Sequence, residues 1–203
     1  MSEFELTVIG DSFAQGRGGT LRRDGTFAGF VARMADVLGI SGRILNLGSF
    51  GATTQDVVNE QLPTALERPA PLVGVIVGGN DLVADYDRDR FQRNLRHIYT
   101  SLAEPGRLVF TTNWPNIPDR LPGLDDRTRA VLRDRFAEAN EFLDHLVYEF
   151  DLACLDLLHA PISADPVMWS DGMHPSPAGH ELIGTAMADL IDEVRTSRVR
   201  QPA

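Results

Sequence analysis

The sequence predicts an α/β fold, a three-layer α/β/α sandwich around a mainly parallel sheet. Two patterns point to it: short apolar runs recur along the chain, and the segments between most of them carry apolar residues at 3.6-residue spacing. Strands that alternate with helices of ten or more residues build crossover units, which cover both faces of a parallel sheet. A third observation bounds the size: with 203 residues, 43% hydrophobic and 24% charged, the chain suits one folded domain over residues 1–203.

Phe4 to Ile9 is the first strand candidate, followed by Arg43 to Asn46, Leu72 to Val77, Arg107 to Thr111 and Phe150 to Asp156. Between the first two, Phe27, Phe30, Val31, Met34 and Leu38 mark one helical face, with Gly39 as its stop. Phe91, Leu95, Ile98 and Leu102 mark another. Leu132, Phe136, Ala139, Leu143 and Leu146 form a third, and Leu182, Ile183, Ala186, Leu190 and Ile191 form the last. Trp114 to Asp125 and Leu157 to Ser170 read as long ordered loops, each able to wall a pocket.

Composition removes several function classes. The formal net charge is −10, and all 19 basic residues are arginine, so no concentrated positive field is expected and no nucleic-acid partner. Without lysine there is neither a Schiff-base residue nor a lysine phosphate loop. Gly16-Arg17-Gly18-Gly19 lacks the spacing of a dinucleotide fingerprint and reads as a flexible rim, with Arg17 able to meet an anionic substrate. No apolar stretch approaches 18 residues, so no stable membrane insertion is expected. Cys154 stands alone, which excludes an internal disulfide and fits a reducing compartment. The first residues carry Glu3 and Glu5 and do not resemble a secretory leader, so a cytoplasmic location is the expectation. Nothing in the helical periodicity sets an oligomeric state.

The chemistry lies at the strand ends, where open parallel sheets bind ligands. Ser12 follows the first strand in Gly10-Asp11-Ser12, and Asp171-Gly172-Met173-His174-Pro175 lies beyond the last. Serine needs a base and a group to orient that base. Ser12 is therefore the candidate nucleophile, His174 the base, and Asp171, three residues earlier, its orienting carboxylate. Charge developing on an ester oxygen needs donors, for which Asn80, Gly51 and the Ser12 backbone are candidates. Gly51 is expected where a side chain would obstruct approach. Each residue also has a plain structural use: Ser12 and Asp171 can cap helices, and Gly78-Gly79-Asn80-Asp81 can be a simple turn. Asp11, Asp171 and His174 could instead be metal ligands, and a cleft without chemistry would make a binding module. No cofactor and no metal are expected on the serine reading.

Taken together, these blocks resemble the SGNH hydrolases, also called GDSL-type esterases and lipases. Gly10-Asp11-Ser12-Phe13 is similar to the family's first block and Asn46 through Thr54 to its second. Gly78-Gly79-Asn80-Asp81 is similar to the third and Asp171 through Pro175 to the last. The resemblance implies a flavodoxin-like sheet and a serine ester hydrolase with Ser12, Asp171 and His174 as triad. Ser12, Gly51 and Asn80 would be its oxyanion donors. It implies a small-molecule, lipid or acylated-sugar ester as substrate, with acyl transfer or thioester hydrolysis as alternatives on the same acyl-serine. Phe13 and Phe50 depart from the usual residues, and Phe50 is expected to narrow the cleft near Gly51. The lipase elbow G-x-S-x-G is absent.

Overall fold

The computed structural model describes residues 3–200, with the side chain of residue 200 excluded. β1 (Leu6–Gly10) leads into α1 (Ser12–Gln15), and a small hairpin of β2 (Thr20–Leu21) and β3 (Phe27–Ala28) precedes α2 (Phe30–Val37). β4 (Ile44–Asn46) is followed by α3 (Thr54–Asp56), a π-helical turn (Val57–Gln61) and α4 (Leu62–Glu67). β5 (Leu72–Ile76), α5 (Gly79–Ala84), α6 (Arg88–Leu102) and β6 (Leu108–Thr112) come next. α7 (Asp126–Phe150), β7 (Ala153–Leu155), α8 (Pro161–Ala164), a 3₁₀ turn (Pro166–Met168) and α9 (Pro177–Arg200) complete the described chain.

The main sheet has the order β4-β1-β5-β6-β7, and every pairing in it is parallel. Strand alternation sends successive side chains to opposite faces. Leu6, Val8, Leu72, Ile76, Leu108 and Phe110 join α2 and α9 in one core, while Ile9, Val73, Val75 and Val109 join α4, α6 and α7 in the other. Both faces are thus covered, which is why these strands read as continuous apolar runs and not as alternating ones. Gly74 makes room for its neighbour: a Cβ there would stand 2.4 Å from the Phe110 ring.

The sequence expectations hold for the sheet and need two corrections. Phe150 is not in the last strand; α7 runs through it and ends at Asp151, whose left-handed backbone (φ 50°) turns the chain. β7 is accordingly only three residues long. Phe27 lies in β3, not in the second helix, which starts at Phe30. The segment 54–67 gave no helical signal, yet it is helical throughout. Pro63, near the start of α4, lacks an N–H and crowds the carbonyl of Asn59, four residues earlier and inside the π-helical turn. Among the described residues no helix is long and apolar enough to cross a membrane.

Candidate active site

Ser12 and Asn80 follow β1 and β5, the adjacent strands where the direction of sheet winding reverses and open sheets form their binding crevice. The backbone there is tight. Gly10 has φ +149°, and a Cβ on it would lie 1.9 Å from the Ile76 carbonyl oxygen, so no other residue fits. Asp11 caps α1 by accepting from Phe13 N–H at 2.8 Å, which leaves Ser12 at the first helical position.

His174 lies 162 residues away in sequence, yet its Nε2 is 2.7 Å from Ser12 Oγ. Its Nδ1 is 2.8 Å from Asp171 Oδ2. The other Asp171 oxygen accepts from the backbone N–H groups of His174 (2.8 Å) and Met173 (3.0 Å). Burial opposes the Asp171 charge, but these hydrogen bonds outweigh it and hold the carboxyl below its ordinary range. An ionised Asp171 places the imidazole proton on Nδ1, leaving Nε2 to accept from the Ser12 hydroxyl. Both Ser12 and His174 are buried.

The segment carrying Asp171 and His174 is pinned at its base. Trp169 and Pro175 form an antiparallel bridge, and Ser170 N–H donates to the His174 carbonyl at 2.8 Å. Arg120, from the long loop after β6, donates to the Gly172 carbonyl (3.1 Å) and the Ser163 carbonyl (3.0 Å). Its guanidinium also stacks 3.8 Å from the Trp169 ring centroid. The two long loops therefore meet around the triad.

A narrow pocket opens beside Ser12, His174 and Asn80, with a cavity volume of about 30 Å³. Val77, Trp114, Pro115, Ile117, Trp169 and Met173 supply its apolar walls. Asn80 donates one amide hydrogen to the Ala52 carbonyl at 2.9 Å, so the second is available to a ligand. Gly51 is placed differently: it sits on an exposed turn at the rim, outside the pocket lining, and joins the site through the neighbouring Ala52. A Cβ on Gly51 meets no protein atom within 4 Å. The requirement for glycine there is its left-handed φ of +78°, not crowding by the protein. Among the described residues no three His, Cys, Asp or Glu side chains converge as a metal-binding set, so Asp11, Asp171 and His174 do not form a ligand cluster.

Two supporting residues stand behind the site: Gln61, which gave no sequence signal, and Asp81, the last residue of the third block. Gln61, in the π-helical turn, accepts from Gly10 N–H (2.7 Å) and donates to the Gly10 carbonyl (2.9 Å) and to Ser49 Oγ (3.2 Å). It behaves as a strand edge, tying β1 to the second block. Asp81 accepts from Thr54 N–H (2.9 Å) and Thr54 Oγ1 (2.6 Å), which fixes the start of α3.

Asp11 is buried above Asp81, and burial, assisted by the Asp81 charge and opposed by the Phe13 N–H, pushes its carboxyl up to about 7. A folded-state value above the unfolded one means stability that is full below pH 3.8 and lost as pH rises through about 7. Asp11→Asn keeps a capping oxygen and removes this titration. Thermal melts from pH 4 to pH 8 should show the variant gaining on the parent as pH rises; a pH-independent gap would contradict the assignment.

A hydroxyl, an imidazole and a carboxylate in one hydrogen-bonded line, at the carboxyl end of a parallel α/β sheet, define the class of serine hydrolases. The chain belongs to the GDSL-like lipase/acylhydrolase family, whose model matches residues 8–182, and it is an SGNH-type serine hydrolase. Solved structures share the fold. A protein of the G-D-S-L lipolytic family from Desulfitobacterium hafniense is 18% identical with TM-score 0.71, covering 91% of this chain and 98% of that one. The W215I variant of Axe2, an acetyl xylan esterase from Geobacillus stearothermophilus, is 20% identical with TM-score 0.70, covering 94% and 95%. A lipase/acylhydrolase from Enterococcus faecalis is 21% identical with TM-score 0.69, covering 93% and 95%. Among curated protein sequences none matches this chain.

Proposed function

We propose that this protein removes short acyl groups from a small molecule or acylated sugar through an acyl-serine intermediate. The observation that carries this reading is the unbroken line from Asp171 through His174 to Ser12 beside a small apolar pocket. In the first step Ser12 Oγ bonds to the ester carbonyl carbon while His174 Nε2 takes its proton. The carbonyl electrons move onto oxygen, where the second Asn80 amide hydrogen and the Ser12 N–H receive them. The latter is free for this role because the first helical N–H has no intrahelical acceptor. Collapse breaks the bond to the alcohol, which leaves with the proton from His174. Water then repeats the sequence, releasing the acid and restoring Ser12.

Pocket size argues for a short acyl chain. About 30 Å³ is room for roughly two water molecules, the scale of an acetyl or slightly longer group. The walls are set: Trp114 packs against Phe91, and Trp169 is clamped under Arg120. The likeness to an acetyl xylan esterase agrees with this reading. Forcing extra methylenes into a packed site costs about 1–3 kcal/mol. kcat/KM on p-nitrophenyl esters should therefore fall about tenfold or more between butyrate and octanoate. Ile117→Ala should shift the preference toward longer chains. Octanoate turned over by the parent as well as acetate would sink the short-acyl reading.

A further inference from the structure

We propose that Arg17 and Phe50, on the loops that follow Ser12 and precede Gly51, form a subsite for an anionic group, carboxylate or phosphate, on the substrate. This subsite deepens the esterase reading and rests on it. Phe50 is a large apolar side chain left 63% exposed, next to Gly51. The Arg17 guanidinium lies over its ring at 4.3 Å from the centroid, joining the loop after Ser12 to the loop bearing Gly51.

Arg17 is held from several sides, although its side chain is exposed. Its N–H donates to the Ser12 carbonyl at 2.9 Å, so its backbone is tied directly to the nucleophile. Its own carbonyl is 2.8 Å from His180 Nε2. His180 Nδ1 accepts from Phe30 N–H at 3.1 Å, which assigns the single imidazole hydrogen to Nε2 and hence to Arg17. His180 is 1% exposed and stacks on Phe30, and burial lowers it to about 4, so it stays neutral and keeps this tautomer. The rim that the sequence marks as flexible is thus anchored through Ser12, His180 and Phe50.

The charged end has no such use within the protein. Among the described residues no carboxylate lies within salt-bridge distance of the Arg17 guanidinium and none of its N–H groups is hydrogen-bonded. A planar guanidinium stacked on an aromatic face keeps its edge N–H groups in the plane that suits a carboxylate or phosphate fork. In a chain of net charge −10, a local cation on these loops also opposes the general repulsion of an anionic substrate.

Three esters that share one acetyl group separate the possibilities: 4-acetoxybenzoate, 4-acetoxyphenyl phosphate and neutral 4-acetoxybenzamide. Binding is measured on the Ser12→Ala protein, so the result does not depend on turnover, while product release by the parent tests the esterase reading separately. The anionic esters should bind about 5–10-fold more tightly than the amide at low salt, the range of about 1 kcal/mol for one exposed charge-assisted contact. That advantage should shrink as salt shortens the screening length. Adding Arg17→Gln should abolish it, Arg17→Lys should retain part of it, and Phe50→Ala should weaken it by freeing the guanidinium. A preference for the carboxylate or for the phosphate identifies the anion. Equal affinity for all three esters, or a preference that survives Arg17→Gln, would overturn the subsite.

Discussion

Ser12→Ala lowers ester turnover by on the order of 10⁶-fold, the loss expected when the nucleophile of an interdependent triad is removed. Folding is expected to survive. Among the described residues Ser12 Oγ bonds only to His174 Nε2, and the cap of α1 is made by Asp11, so its removal leaves no buried charge and no broken helix. The residual rate would come from the oxyanion donors and binding alone. Circular dichroism and thermal melting, run beside p-nitrophenyl acetate kinetics, check both halves of the expectation. A parent-like rate in a folded variant would remove Ser12 from the mechanism.

Asn80→Ala is expected to cost about 10²–10³-fold in kcat, with KM changing much less, because its amide meets charge that develops only in the transition state. The same side chain holds the Ala52 carbonyl, so some of the loss would come from a displaced Gly51 turn. Asn80→Asp keeps the shape but, when ionised, offers no N–H to the oxyanion or to the Ala52 carbonyl and sets a negative charge beside the developing one. It should be at least as slow as the alanine variant. A drop confined to KM would reassign Asn80 from the oxyanion to ground-state binding.

The parts of this molecule that could be read from sequence are those with a local physical signature. β1, β5 and β6 are buried on both faces and appear as apolar runs, and α6 shows its inward stripe; in α9, Leu182 and Ala186 of the expected face are exposed, and Met187 and Ala188 are buried beside Ile183 and Ile191. The five candidate positions announce themselves by residue type, Ser12 and Asn80 just after β1 and β5, and Gly51, Asp171 and His174 on the loops beyond β4 and β7. Their assembly does not, because the contact between Ser12 and His174 depends on the whole sheet lying between them. Element ends were hidden for a related reason. Phe150 is apolar and precedes an apolar strand, and only the left-handed turn at Asp151 separates helix from strand. The β2–β3 hairpin has two residues per strand, too few for any period. Gln61, Arg120 and His180 support the site through contacts with distant backbone or side-chain groups. Such contacts leave no pattern along the chain, and a polar residue on a helix or loop reads as surface until its partner is seen.

The position of His180 shows how this supporting shell serves the chemistry. It sits six residues after His174, in the last helix, yet it faces the loop after Ser12 and not the ester. His174 faces Ser12, while His180, buried and neutral, holds the Arg17 carbonyl. Nucleophile and rim are thereby held in one frame.

On the proposed mechanism Ser12, activated by His174 and Asp171, attacks the substrate and carries the acyl group. Reaction with a fluorophosphonate followed by peptide mass spectrometry tests it most directly. A single stoichiometric adduct on Ser12 is expected, forming far more slowly in His174→Ala. An unlabelled Ser12 in the folded parent protein, or an adduct on another residue, would contradict it.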